Sequence, residues 1–189
     1  MTTTAPLPFP GFHSPAASAE APLEMLSACH GRVERQCATL RKLQRHLPRH
    51  GADEQARQAA TSVMRYFDTA ARDHHADEEQ DLFPALLESM AGSDAVCLRG
   101  LTDRLVAEHR ALEARWAAMR QRLQAVAEGE ADADTLPLAE VEAFVQAYTG
   151  HIATEETELL PMAQRLLDDD AIGRLGLAMR RRRGLDPLP

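Results

Sequence analysis

With 189 residues, the chain is one domain's worth of polypeptide, able to bury roughly two thirds of the surface its unfolded form exposes. Its 44% hydrophobic residues include only 4% aromatics, and Ala, Leu, Arg, Glu and Gln predominate, a composition that reads all-α. Twenty-one Lys and Arg against 29 Asp and Glu give a net charge of −8, which removes any electrostatic drive toward nucleic acid or an anionic membrane.

Residues 1–20 hold four prolines among Ala, Ser and Thr and read as a flexible lead-in, with neither the basic start nor the apolar centre of an export signal. No apolar run approaches the roughly 18 residues of a membrane span, so a cytoplasmic protein is expected. The odd set Cys29, Cys37 and Cys97 argues against a disulfide framework, and Cys29 and Cys37 read as plain buried thiols. A first helix is predicted from Pro22 to Leu47, with Leu23, Leu26, His30, Val33, Cys37 and Leu40 on one stripe and an end at Pro48 and Gly51. A second, capped by Asp53, carries Ala56, Ala60, Val63, Phe67, His74, Glu78 and Leu82 and stops before Gly92. A third, capped by Ser93 or Asp94, carries Leu98, Leu105, His109, Leu112, Trp116 and Leu123. A fourth follows Pro137, with Val141, Phe144, Tyr148, His151, Glu155, Leu159 and Leu166. The expected fold is an up-down-up-down four-helix bundle over residues 21–168, followed by a short helical basic tail over 169–189. The RRRR at 180–183 reads as a solvated helix end.

Two stretches repeat. HHADEEQDLFP at 74–84 and HIATEETELLP at 151–161 agree at six of eleven positions, with Phe67 and Phe144 at the same distance upstream. At 100° per residue, Glu78 lies about 40° from His74 and Glu79 about 140°; Glu155 and Glu156 stand in the same relation to His151. Glu78 and Glu155 should therefore point inward, and Glu79 and Glu156 outward. Each predicted core stripe also holds one histidine: His30, His74, His109 and His151. His13, His46, His50 and His75 look peripheral.

Two carboxylates and four imidazoles facing one interior cannot remain unpaired, because an isolated buried carboxylate costs several kcal/mol or is driven to its neutral form. A bound cation removes that cost. The mixture of nitrogen and carboxylate donors suits iron or manganese, does not suit Ca²⁺, and exceeds the four positions of a single zinc, so a dinuclear iron site is the economical reading. Pro84 and Pro161, each ten residues after its histidine, free the carbonyls of Gln80 and Thr157 and should bend both helices just past the site.

Over residues 22–168 the chain resembles the hemerythrin-like, or HHE cation-binding, family, chiefly through the doubled H-x-x-x-E-E-x-x-L-[FL]-P. The resemblance implies a non-haem Fe–O–Fe centre of two iron ions, open to zinc or manganese substitution. His30 and His74 would serve one ion, His109 and His151 the other, and Glu78 and Glu155 would bridge them. It further implies a small diatomic or peroxide ligand, for O2 or NO sensing or binding or for iron handling. The alternative is a redox enzyme that decomposes peroxide or NO or oxidises Fe(II). The third helix lacks the second histidine of the oxygen carriers in that family. Either Glu113 takes that place or a position stays open.

Overall fold

The structure is a computed structural model that describes residues 21–90 and 94–185. The predicted lead-in over 1–20 and the candidate cap Ser93 lie outside these residues. Every regular element among the described residues is helical.

The first limb is α1 (Pro22–His50), opened by a proline whose fixed φ and missing N–H suit a first helical turn. It runs through Pro48, where the sequence predicted its end, giving up the bond that an N–H at this position would make to the Gln44 carbonyl. The helix closes at Gly51, which takes a φ of 65° and bonds its N–H to the Leu47 carbonyl at 2.8 Å.

The second limb, predicted as one helix, is four pieces: α2 (Glu54–Asp68), α3 (Ala70–Asp77), a π-turn over Glu78–Leu82 (π1) and α4 (Phe83–Ser89). Asp53 caps α2 as predicted, accepting from the Ala56 N–H at 2.9 Å. The interruption falls at Thr69, whose hydroxyl donates to the Arg65 carbonyl at 2.7 Å. The third limb is α5 (Asp94–Glu128), ended by Gly129 at a φ of 80°. The fourth consists of α6 (Leu138–Thr154), a second π-turn over Glu155–Leu159 (π2) and α7 (Leu160–Leu166).

Both copies of the repeated stretch thus make the same π-turn, with the Phe83 N–H reaching the Glu78 carbonyl and the Leu160 N–H reaching that of Glu155. A proline follows each, so the α-helical partner of the carbonyl four residues earlier does not exist. The wider turn sits where the regular ladder is already broken.

α1 packs on α2 and α6, and α5 packs on the same two, so the four limbs close into a ring. Its interior is two apolar clusters. One holds Val33, Leu40, Phe67, Leu112, Phe144 and Ile152; the other holds Leu26, Leu82, Phe83, Leu105, Leu159 and Leu160. His30, His74, His109 and His151 each fall in sequence between a member of one cluster and a member of the other.

A fifth helical limb, α8 (Asp169–Arg182), is capped by Asp168 and adds Leu175 and Met179 to the second cluster. Its end is not solvated as the sequence predicted. Arg182 grips Oδ1 of Asp77 and reaches Gln80 and Asp81 at 3.0 and 2.7 Å, while Arg183 holds Asp77 Oδ2 at 2.6 Å. Asp77 is fully buried, so the arginines are its only compensation among the described residues. Replacing both Arg182 and Arg183 with Ala strands that carboxylate and should lower unfolding free energy by about 3–5 kcal/mol in urea titrations. Adding Asp77→Asn should recover part of the loss.

Candidate metal centre

Each limb delivers one histidine to the level between the two apolar clusters: His30 from α1, His74 from α3, His109 from α5 and His151 from α6. Glu78 opens π1 and Glu155 opens π2. All six side chains are buried, the glutamates and His109 completely.

The Nε2 atoms of His30 and His74 lie 3.1 Å apart. His30 Nε2 is 3.0 Å from Glu155 Oε2, and His74 Nε2 is 3.5 Å from Glu78 Oε1. Across from them, His151 Nε2 is 2.9 Å from Glu155 Oε1, and His109 Nε2 is 3.4 Å from Glu78 Oε2 and 3.7 Å from Glu155 Oε1. Two four-donor groups result, His30–His74–Glu78–Glu155 and Glu78–His109–His151–Glu155, with the ligand atoms in each all within 4.8 Å of one another. The same two carboxylates belong to both.

Close as they are, all four glutamate oxygens and the Nε2 atoms of His109 and His151 have no hydrogen-bond partner. Each unpaired buried polar atom costs about 1–3 kcal/mol, and a cation in each donor group would satisfy the set. The residues therefore fit metal ions, and a mixed imidazole and carboxylate set fits first-row transition metals.

The outer nitrogens are held as well. His30 Nδ1 donates to Glu156 at 2.5 Å, His109 Nδ1 to Glu79 at 2.8 Å, and His151 Nδ1 to Glu108 at 2.8 Å. With its proton on Nδ1, each ring turns the Nε2 lone pair inward. His74 is the exception, its Nδ1 buried and unpartnered.

These bonds correct the expectation that Glu79 and Glu156 point outward: Glu79 is 17% exposed and Glu156 37%. The 100° arithmetic assumes an α-helix, and the π-turns begin at Glu78 and Glu155, so it fails one residue later. Arg110 takes the second oxygen of Glu79. Glu108 had no signal in the sequence beyond standing next to His109. Charge-removing substitutions at these outer carboxylates should leave the fold intact yet weaken metal binding about 10–100-fold in chelator competition, for Glu79→Gln and Glu156→Gln alike.

His75 also departs from its peripheral reading. It is buried, and its ring stacks on His109 with centroids 4.0 Å apart and planes 12° from parallel. Glu113, one of two ways to complete the donor set, is 51% exposed and paired with Arg110. His46 and His50 lie away from the centre, stacked on each other, with His46 bonded to Asp53. His13 is outside the described residues.

Without metal, the charges balance among themselves. Burial pulls His30 and His109 down, but the facing carboxylates prevail and hold them up at about 9 and about 10. Burial, then the Glu155 charge, lifts Glu78 to about 7. Glu155 resists burial because His109, His151 and His30 face it, and it stays well below the usual carboxylate range. Burial takes His74 down to about 3. Imidazoles raised in the folded state contribute fully below their ordinary value of 6.5 and lose that contribution as pH climbs through about 9 to 10. Calorimetry of the apo-protein should show its melting temperature falling from about pH 7 to pH 10, while metal-loaded protein should be nearly flat over that window.

A helical fold whose interior converges four imidazoles on two shared carboxylates defines a cation-binding domain. The family described as the hemerythrin HHE cation binding domain matches residues 21–163, and the chain belongs to it. It is also 34% identical over 163 residues to an uncharacterized protein of Haemophilus influenzae (strain ATCC 51907 / DSM 11121 / KW20 / Rd), covering 86% of this chain and 90% of that relative.

Proposed function

We propose that the chain is a non-haem di-iron protein, built on an up-down-up-down four-helix bundle over residues 21–168, that binds a small diatomic molecule or peroxide. The observation that carries this reading is the pair of four-donor groups sharing Glu78 and Glu155. One ion would take His30 and His74, the other His109 and His151, and both glutamates would bridge. Shared carboxylates suit two ions about 3.5–4 Å apart. Iron held this way supplies redox chemistry and an open position for O2, NO or peroxide. The outer carboxylates fix the rings, the apolar clusters above and below exclude water, and Glu113, turned to solvent, leaves a coordination position free.

No described helix is long and apolar enough to cross a membrane. Cys29, Cys37 and Cys97 are unpaired, which agrees with work in a reducing cytoplasm. Protein purified from iron-replete cells should carry about two iron equivalents, with zinc or manganese able to substitute. Less than half an equivalent of any transition metal overturns the reading. Glu78→Gln or Glu155→Gln should leave a mononuclear or empty centre, because each removes charge that offsets both cations. Mixing the reduced protein with O2, NO and peroxide then separates reversible binding from turnover.

A further inference from the structure

We propose that His75 is a distal residue of this centre, an imidazole that does not coordinate but donates a hydrogen bond to the free end of a small ligand held beside His109 and His151. The inference rests on the reading of the centre given above. It begins from a ring placed by packing. His75 is 7% exposed and no hydrogen bond or ion pair holds it among the described residues, yet neither of its nitrogens is one of the fully buried atoms left unpaired, so its N–H is available to a further acceptor. Its neighbours are rings: His109 at 4.0 Å, His151 at 6.0 Å edge-on, His74 at 6.0 Å and Tyr148 at 6.5 Å.

Position selects the role. A nitrogen of His75 lies within 4.8 Å of ligand atoms of both His109 and His151, but His75 belongs to neither of the groups that include the glutamates. By ligand-atom distance it goes with the second donor group, although the His74 ring of the first stands 6.0 Å away. A metal bound to an imidazole nitrogen lies in the plane of that ring. The His75 and His109 planes are stacked and only 12° from parallel, so an ion held in line with the His109 lone pair would lie out of the plane of His75 and away from its lone pair. Coordination of one ion by both rings is excluded in this arrangement. A hydrogen bond to something bound at that ion is not, since such a ligand projects beyond the metal.

Phe83 flanks His109 at 6.2 Å and has no donor to offer. The ligand class is therefore a small molecule with an acceptor atom at its outer end, as in a diatomic or peroxide. Any such bond forms at one ion of the two, because His75 has no counterpart in the second copy, where Ile152 takes its place.

The test uses azide, a small anion with an acceptor terminus, on the oxidised, iron-loaded protein, followed by absorbance titration alongside iron analysis. His75→Phe keeps a flat ring in the stack and removes the donor; His75→Gln keeps a donor and drops the stack. His75→Phe should retain both irons and bind azide about tenfold more weakly, the net worth of one hydrogen bond. His75→Gln should stay within about threefold of wild type. Loss of half the iron in His75→Phe would make His75 a ligand and overturn the proposal. Unchanged azide affinity in His75→Phe would overturn it too, as would iron-loaded wild type that binds no azide. Iron-free wild type would instead refute the di-iron reading, taking this inference with it.

Discussion

Two carboxylates sit fully buried at one level of an apolar interior, and the rest of the molecule is organised around making that tolerable. Glu78 and Glu155 share close neighbours, so their charges repel in a medium that screens poorly. Four imidazoles surround them, and three of those are braced from behind by carboxylates that reach toward solvent. Above and below, leucine and phenylalanine side chains close both faces of the polar layer.

The helix irregularities gather at the same level. The π-turns, the prolines that follow them and the buried charges each break a local rule of helix construction, and they fall within a few residues of the two glutamates. Apart from Pro48 in α1 and the break at Thr69, the described remainder of the limbs is ordinary amphipathic helix. Such concentration is what a site positioned at the expense of local regularity looks like.

What the sequence made legible was what is local. His74 with Glu78, and His151 with Glu155, are four residues apart on one face, and simple rotation finds them. His30 and His109 follow from their stripes. What it hid depends on contacts between distant segments. The partner of His30 is 126 residues away, that of His109 is 30, and the arginines that hold Asp77 are more than 100. The break at Thr69 and the unwinding at Glu78 and Glu155 also escaped, since a fixed angle per residue cannot register a change of helix type. His75 escaped because it has no match in the second copy.

The two copies of the repeat are not held alike. Asp77, just before π1, is gripped by the end of α8 and the residue after it; its counterpart Thr154 donates to the Gly150 carbonyl of its own helix, and the nearby Glu158 meets Arg104 at 3.5 Å on the surface. Unwinding π1 means displacing Glu78 and also loosening the buried Asp77 cluster, whereas unwinding π2 gives up Glu155, the Glu156–His30 bond and an exposed pair of little worth. Copies alike at six of eleven positions thus differ in what anchors them: the first is tied to α8 through Asp77 and Asp81, the second to α5 through Glu158 at the surface.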